Sequence, residues 1–129
     1  MKAFIDEILR RFPEVEPLLD DFDKTSAYNA VGGIVFWLTS KPKSKVDKAV
    51  IRRLVEFNRW CLEQPRGQTA ENDIVTIFQV AFVEELFKYD ELLPLVGHLV
   101  SRKHLIENRE YFTRWIGNDR YEAALRQLG

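Results

Sequence analysis

The stretch Glu71–Tyr89 constrains this chain most, because it is apolar on every side of a helical wheel. Ile74, Val75, Ile77, Phe78, Val80, Ala81, Phe82, Val83, Leu86 and Phe87 leave it no polar face. A helix of that kind is normally buried within a bundle. Its length of about 18 residues also reaches the lower limit of a membrane span, but Asp73, Gln79 and the pair Glu84–Glu85 argue against lipid. The expectation is an all-α, compact single-domain bundle spanning 1–129, with 71–88 as its central helix.

Elsewhere the apolar spacing is also helical. Lys2–Phe12 places Phe4, Ile5, Ile8, Leu9 and Phe12 on one face, and Pro13 ends it. Glu14–Phe22 reads as a short helix with Pro17 in its first turn, where the missing N–H matters little. Ala27–Thr39 fits a helical face, but Gly32-Gly33 before Ile34-Val35-Phe36-Trp37 also fits a hairpin. Helix is preferred there, because no second long strand pattern exists to complete a sheet. Lys41–Ser44 reads as a loop, and Ser44 with Asp47 resembles a helix start for Lys45–Gln64. Beyond the central segment come Leu92–Val100, a short helix capped by Ser101, Glu107–Ile116 ending at Gly117, and a last helix opened by Asp119 and Glu122. The total is seven or eight helices.

Few residues suggest catalysis. The single cysteine, Cys61, rules out an internal disulfide and a cysteine-based zinc site, and it falls on a core arc where a thiol is inert. His98 and His104 are six apart and match no metal-binding pattern, so neither a metal nor a cofactor is expected. Gly32-Gly33 lacks the lysine and third glycine of a phosphate loop; a kink, a close helix contact or a turn explains it better. Glu84 and Glu85 fall on or beside the apolar face, with Glu85 in its middle, so both are expected as buried polar groups. A buried carboxylate needs partners or an upward-shifted pKa. Arg109 or Arg114 would serve as a structural partner, whereas a second convergent carboxylate would be needed for hydrolysis.

Charge is segregated more clearly than chemistry. Residues 1–23 carry seven acids against three bases, residues 24–66 nine bases against three acids, and the whole chain sums to −1. The acidic run Glu14, Glu16, Leu18, Leu19, Asp20, Asp21, Phe22 and Asp23 contains no base. Acids interleaved with large apolar groups suit a surface that docks a basic protein. The alternative is a solvated acidic turn that balances the basic helix of the same molecule. A stripe of Lys41, Lys43, Lys45, Lys48, Arg52 and Arg59 offers contacts for phosphates, but Glu56 and Glu63 dilute it, and nucleic acid is not the favoured partner. The first residues, Met1–Glu7, lack the apolar core of a secretory signal, and a cytoplasmic protein is expected.

The run Asp73-Ile74-Val75-Thr76-Ile77-Phe78-Gln79-Val80-Ala81-Phe82-Val83-Glu84-Glu85-Leu86 resembles the central helix of small all-helical bacterial proteins. Some proteins of that kind are immunity proteins encoded beside polymorphic toxins. The resemblance covers mainly residues 71–116 through the short motif Phe82-Val83-Glu84-Glu85-Leu86. It implies an intracellular, non-catalytic binding protein, and it transfers no functional residue. The expected function is therefore protein binding, with toxin neutralisation through the acidic surface as its concrete form. The alternatives are a small enzyme or ligand-binding domain using Glu84 or Glu85, and a nucleic-acid-binding regulator using the Lys41–Arg59 stripe.

Overall fold

The computed structural model describes residues 1–40 and 47–128. Among these residues all regular structure is helical. The α-helices are α1 (Lys2–Arg11), α2 (Ala27–Ser40), α3 (Lys48–Leu62), α4 (Ile74–Phe78), α5 (Leu93–Leu99), α6 (Arg102–Glu107), α7 (Arg109–Ile116) and α8 (Asn118–Gln127), joined by short 3-10 and π turns. No helix among the described residues is long and apolar enough to cross a membrane. Contacts gather the chain into two compact units, Met1–Phe82 and Val83–Gly129.

The first unit is organised around aromatic side chains. In α1, Phe4, Ile5 and Ile8 form the buried stripe, and Glu7 binds Arg10 and Arg11 on the outer side. Pro13 has no N–H to donate and keeps Phe12 out of helical geometry, at φ −130° and ψ 67°, so α1 stops there. Phe57 of α3 is the hub. Its ring centre lies 6.0 Å from Phe4, 5.5 Å from Phe12, 5.9 Å from Trp60 and 5.3 Å from Phe78. The contacts with Phe12 and Phe78 are edge-on, the arrangement that the ring quadrupole favours. Arg53 closes the rim: it donates to the Arg11 carbonyl and to Glu14, and its guanidinium lies 5.0 Å from the centre of Phe12.

Several local expectations change. Glu14–Phe22 is not an α-helix but a 3-10 turn, Pro13–Leu18, followed by a second at Asp23–Thr25. Pro13 and Pro17 lack the donors that an α-helix would use. The cap of α3 is Asp47, whose carboxylate accepts from Val50 N at 2.9 Å, so α3 begins at Lys48. The expected loop Lys41–Ser44, the Ser44 cap and the first residues of the Lys45–Gln64 helix lie outside the described residues. The stretch 27–39 is helical, as preferred, and not a hairpin.

The apolar segment 71–88 is helical but not one α-helix. A 3-10 turn at Ala70–Asn72 precedes α4, a π turn occupies Gln79–Val83, and a 3-10 turn occupies Glu84–Lys88. A π turn holds one residue more than an α turn. The α-helical phase is therefore not kept through this segment; after the π turn Glu84, Leu86 and Phe87 are buried.

In the second unit, α5 and α8 approach closely at Gly97, where an added Cβ would sit 3.1 Å from the Gln127 carbonyl oxygen. Phe87 and Phe112 pack with ring centres 5.1 Å apart. The buried Tyr121 donates its hydroxyl to the Leu105 carbonyl at 2.9 Å. Ser101 caps α6 by accepting from His104 N at 3.0 Å. Gly117, at φ +87°, ends α7 and opens α8 through its backbone; Asp119 lies in the first turn of α8 and does not cap it.

Candidate functional site

Part of the acidic run of the first unit forms one wall of an open groove of about 370 Å3. Leu18, Leu19, Asp23, Tyr28, Asn29, Gly32, Gly33 and Phe36 line it. Local chemistry explains its shape. Asp20 and Asp23 exchange side-chain bonds: Asp20 Oδ1 accepts from Asp23 N at 2.7 Å, and Asp23 Oδ2 accepts from Asp20 N at 3.2 Å. Thr25 Oγ1 donates to the Phe22 carbonyl at 2.6 Å, and Asp23 Oδ1 accepts from Asn29 at 3.1 Å. This turn holds Asp21 and Phe22 outward, and Phe22 is 72% exposed. In the groove wall Phe36 is 59% exposed.

The eight expected partner-binding residues therefore have unequal roles. Asp21, Phe22, Leu18 and Glu16 are exposed, with Glu16 Oε1 3.7 Å from Lys24 Nζ. Glu14 is engaged with Arg53 at 2.7 Å. Asp20 and Asp23 shape the turn. Leu19 is buried, so it forms floor and does not project as an anchor. Sequence reasoning missed Phe36, Tyr28 and Gly32, because they come from α2 and only folding brings them beside the acidic run.

The Gly32-Gly33 pair is a close contact, one of the explanations its sequence allowed. A Cβ on Gly33 would lie 2.7 Å from Val15 Cγ1 and 2.8 Å from Leu19 Cδ2, whereas one on Gly32 would meet nothing within 4 Å. Gly33→Ala should therefore destabilise the protein by about 1–3 kcal/mol, since Val15 is buried and stiff at χ1. Gly32→Ala should stabilise it by about 0.5–1 kcal/mol through backbone entropy. Denaturant unfolding of the two variants checks this, and equal shifts of one sign would refute the packing.

Of the two carboxylates expected to be buried in the second unit, Glu84 is the more buried and Glu85 the less. Glu84 is 7% exposed, while Glu85 is half-buried and pairs with Lys88 at 2.9 Å. The π and 3-10 turns break the α-helical phase on which the placement of Glu85 rested. Glu84 is held by neither Arg109 nor Arg114; its partner is the Tyr111 hydroxyl, which donates to it, and Arg109 lies 3.6 Å from Glu122 instead. Burial pushes the Glu84 carboxyl above its ordinary value, and the Tyr111 bond partly offsets that. The folded state thus binds the Glu84 proton more tightly than the unfolded chain. Its stabilising share is fully present below the ordinary carboxylate pKa and is lost as pH rises through the raised one. Glu84→Gln should remove that slope and hold its stability at neutral pH, whereas Glu84→Ala should cost about 1–3 kcal/mol by stranding its surroundings. Unfolding curves between pH 4 and 7 would show this; an unchanged slope in Glu84→Gln would contradict it.

A second buried carboxylate, Asp73, carries more hydrogen bonds than either. Arg66 Nη2 donates to it at 2.6 Å, Thr76 Oγ1 at 2.6 Å and Gly67 N at 3.3 Å. The Arg66 bonds, then the Thr76 bond, hold its carboxyl well below the usual range. Sequence offered one signal for it: an aspartate directly before an apolar helix with threonine three residues on. Cys61 is buried and desolvation pushes its thiol up to about 12, so it is a core group. His104 packs its ring edge-on against Phe112. Of the basic stripe, Lys48, Arg52 and Arg59 are exposed on α3, and Lys41, Lys43 and Lys45 lie outside the described residues. Among the described residues no group of three or more His, Cys, Asp or Glu is placed to hold a metal ion.

No protein-family model, no curated protein and no solved structure matches this chain.

Proposed function

We propose that this chain is a protein-binding protein that docks a basic partner on the groove of the first unit. The observation that carries this reading is an open groove with the exposed Phe36 and Leu18 and one carboxylate, Asp23, in its wall, next to the outward-facing Glu16, Asp21 and Phe22 of the same acidic run. Large apolar groups kept in water beside like charges fit the anatomy of an interface, with apolar anchors at the centre and charge at the edge. Asp21 and Glu16 would steer the partner's cations, while Phe22 and Leu18 would supply contact area. The likeness of 73–86 to bacterial immunity proteins makes the partner a toxin encoded beside this chain, met in the cytoplasm and silenced by covering a basic site such as that of a nuclease.

The test is capture of the adjacent gene's product. Asp20 is unsuitable for charge reversal because it orders the turn, so Glu16→Lys/Asp21→Lys is the informative variant. It should lose affinity by about tenfold or more at low salt and much less at high salt. Gly32→Leu should block the groove without touching the core. Full affinity of both variants at both salts would overturn the proposal. A hydrolytic activity lost in Glu84→Gln, with no protein captured, would transfer the function to the second unit.

A further inference from the structure

The pocket of the second unit has the opposite character. It holds about 340 Å3 and is lined by Phe87, Lys88, Trp115, Ile116 and Arg120. Two cations thus share the wall with the half-buried Trp115 and Ile116, over the fully buried Phe87. Arg120 Nε donates to the Phe87 carbonyl at 2.8 Å, and Nη1 donates to Asp90. Arg120 Nη2 is buried and has no hydrogen-bond partner. An empty buried guanidinium donor is costly, and its fork geometry suits a carboxylate. The Asp90 side chain is 84% exposed, so that ion pair is weak and readily exchanged for a better-placed acceptor. Lys88 Nζ lies 5.1 Å from the centre of the Trp115 ring.

We propose that this pocket binds a small aromatic monocarboxylate. The carboxylate accepts from Arg120 Nη2 once the guanidinium turns from Asp90, and Lys88 stands at the same pocket as a second cation. The aromatic body lies against Trp115 and Ile116. A single negative charge fits better than a phosphate dianion, because Lys88 is already offset by Glu85 and only the Arg120 charge is released when it leaves Asp90.

The experiment is an NMR titration of the full chain with phenylacetate, with phenylacetamide and inorganic phosphate as controls. Phenylacetate should shift the Trp115 indole and the amides of Lys88 and Ile116 saturably, with a Kd of about 1 mM or lower. Both controls should bind about tenfold more weakly or worse, since neither offers a carboxylate on an apolar body. Arg120→Gln should lose about tenfold in affinity. Arg120 also holds the Phe87 carbonyl, so Trp115→Leu serves as a second variant that leaves those bonds alone, and it should weaken binding several-fold. Absence of shifts at these residues, equal binding of phenylacetamide or phosphate, or unchanged binding in both variants would overturn the proposal.

Discussion

Replacing Phe57 with Ala is expected to destabilise the protein by about 4 kcal/mol, near the top of the range for a fully buried aromatic. Its side chain is completely buried and packs with four rings of the first unit: Phe4 of α1, Phe12 just after α1, Trp60 one turn on in α3 itself, and Phe78 of α4. Truncation removes the transfer energy of the ring and leaves a cavity walled by stiff aromatics that cannot collapse into it. Phe78→Ala should cost a little less, about 3 kcal/mol, because Phe78 loses contact mainly with Phe57 and Phe82. Denaturant unfolding followed by far-UV circular dichroism measures both. A loss below about 1 kcal/mol for Phe57→Ala would mean that the hub is not closed.

Gly67→Ala is expected to cost about 3 kcal/mol, at the upper end for overpacking. Here the obstacle is backbone: an added Cβ would sit 2.3 Å from the Asn72 carbonyl oxygen and 2.9 Å from Asp73 N. Neither atom can swing aside as a side-chain tip can. Relief requires the 67 and 72–73 segments to part, and that separation pulls Gly67 N and Arg66 from the Asp73 carboxylate. The variant should therefore also lose acid sensitivity. In the native chain the Asp73 carboxyl is held low, so its contribution is present above the ordinary carboxylate pKa of 3.8 and is lost as pH falls below it. Gly67→Ala should flatten that loss. A variant as stable as the native chain, with the same acid limb, would show that the loop is not packed as described.

The helical character of the chain was legible because apolar spacing at 3.6 residues persists through nearly every segment, Ala27–Ser40 included. The endings of α1 at Pro13 and of α7 at Gly117 were equally legible, since each rests on one residue's backbone chemistry. What periodicity could not supply was a change of phase. An α-helical wheel carried across Gln79–Val83 takes no account of the π turn, and it put Glu85, which is only half-buried, at the middle of the apolar face. The candidate site was half readable. The acidic run is continuous in sequence, so Glu16, Asp21 and Phe22 could be found. Phe36 and Gly32 join it only through the close approach that Gly33 permits, and Leu19 is buried by that same contact. Asp73 was passed over because its partners, Arg66 and Gly67, sit across a loop that no periodic pattern describes.

The most direct test of the central claim is to map where the partner sits. The 15N-labelled chain, titrated with the captured basic protein, should show its largest amide shifts at Glu16, Leu18, Asp21, Phe22, Gly32 and Phe36, and those shifts should shrink as salt is raised. Shifts centred on Lys48, Arg52 and Arg59, or on Glu84 and Tyr111, with the groove residues unmoved, would contradict it.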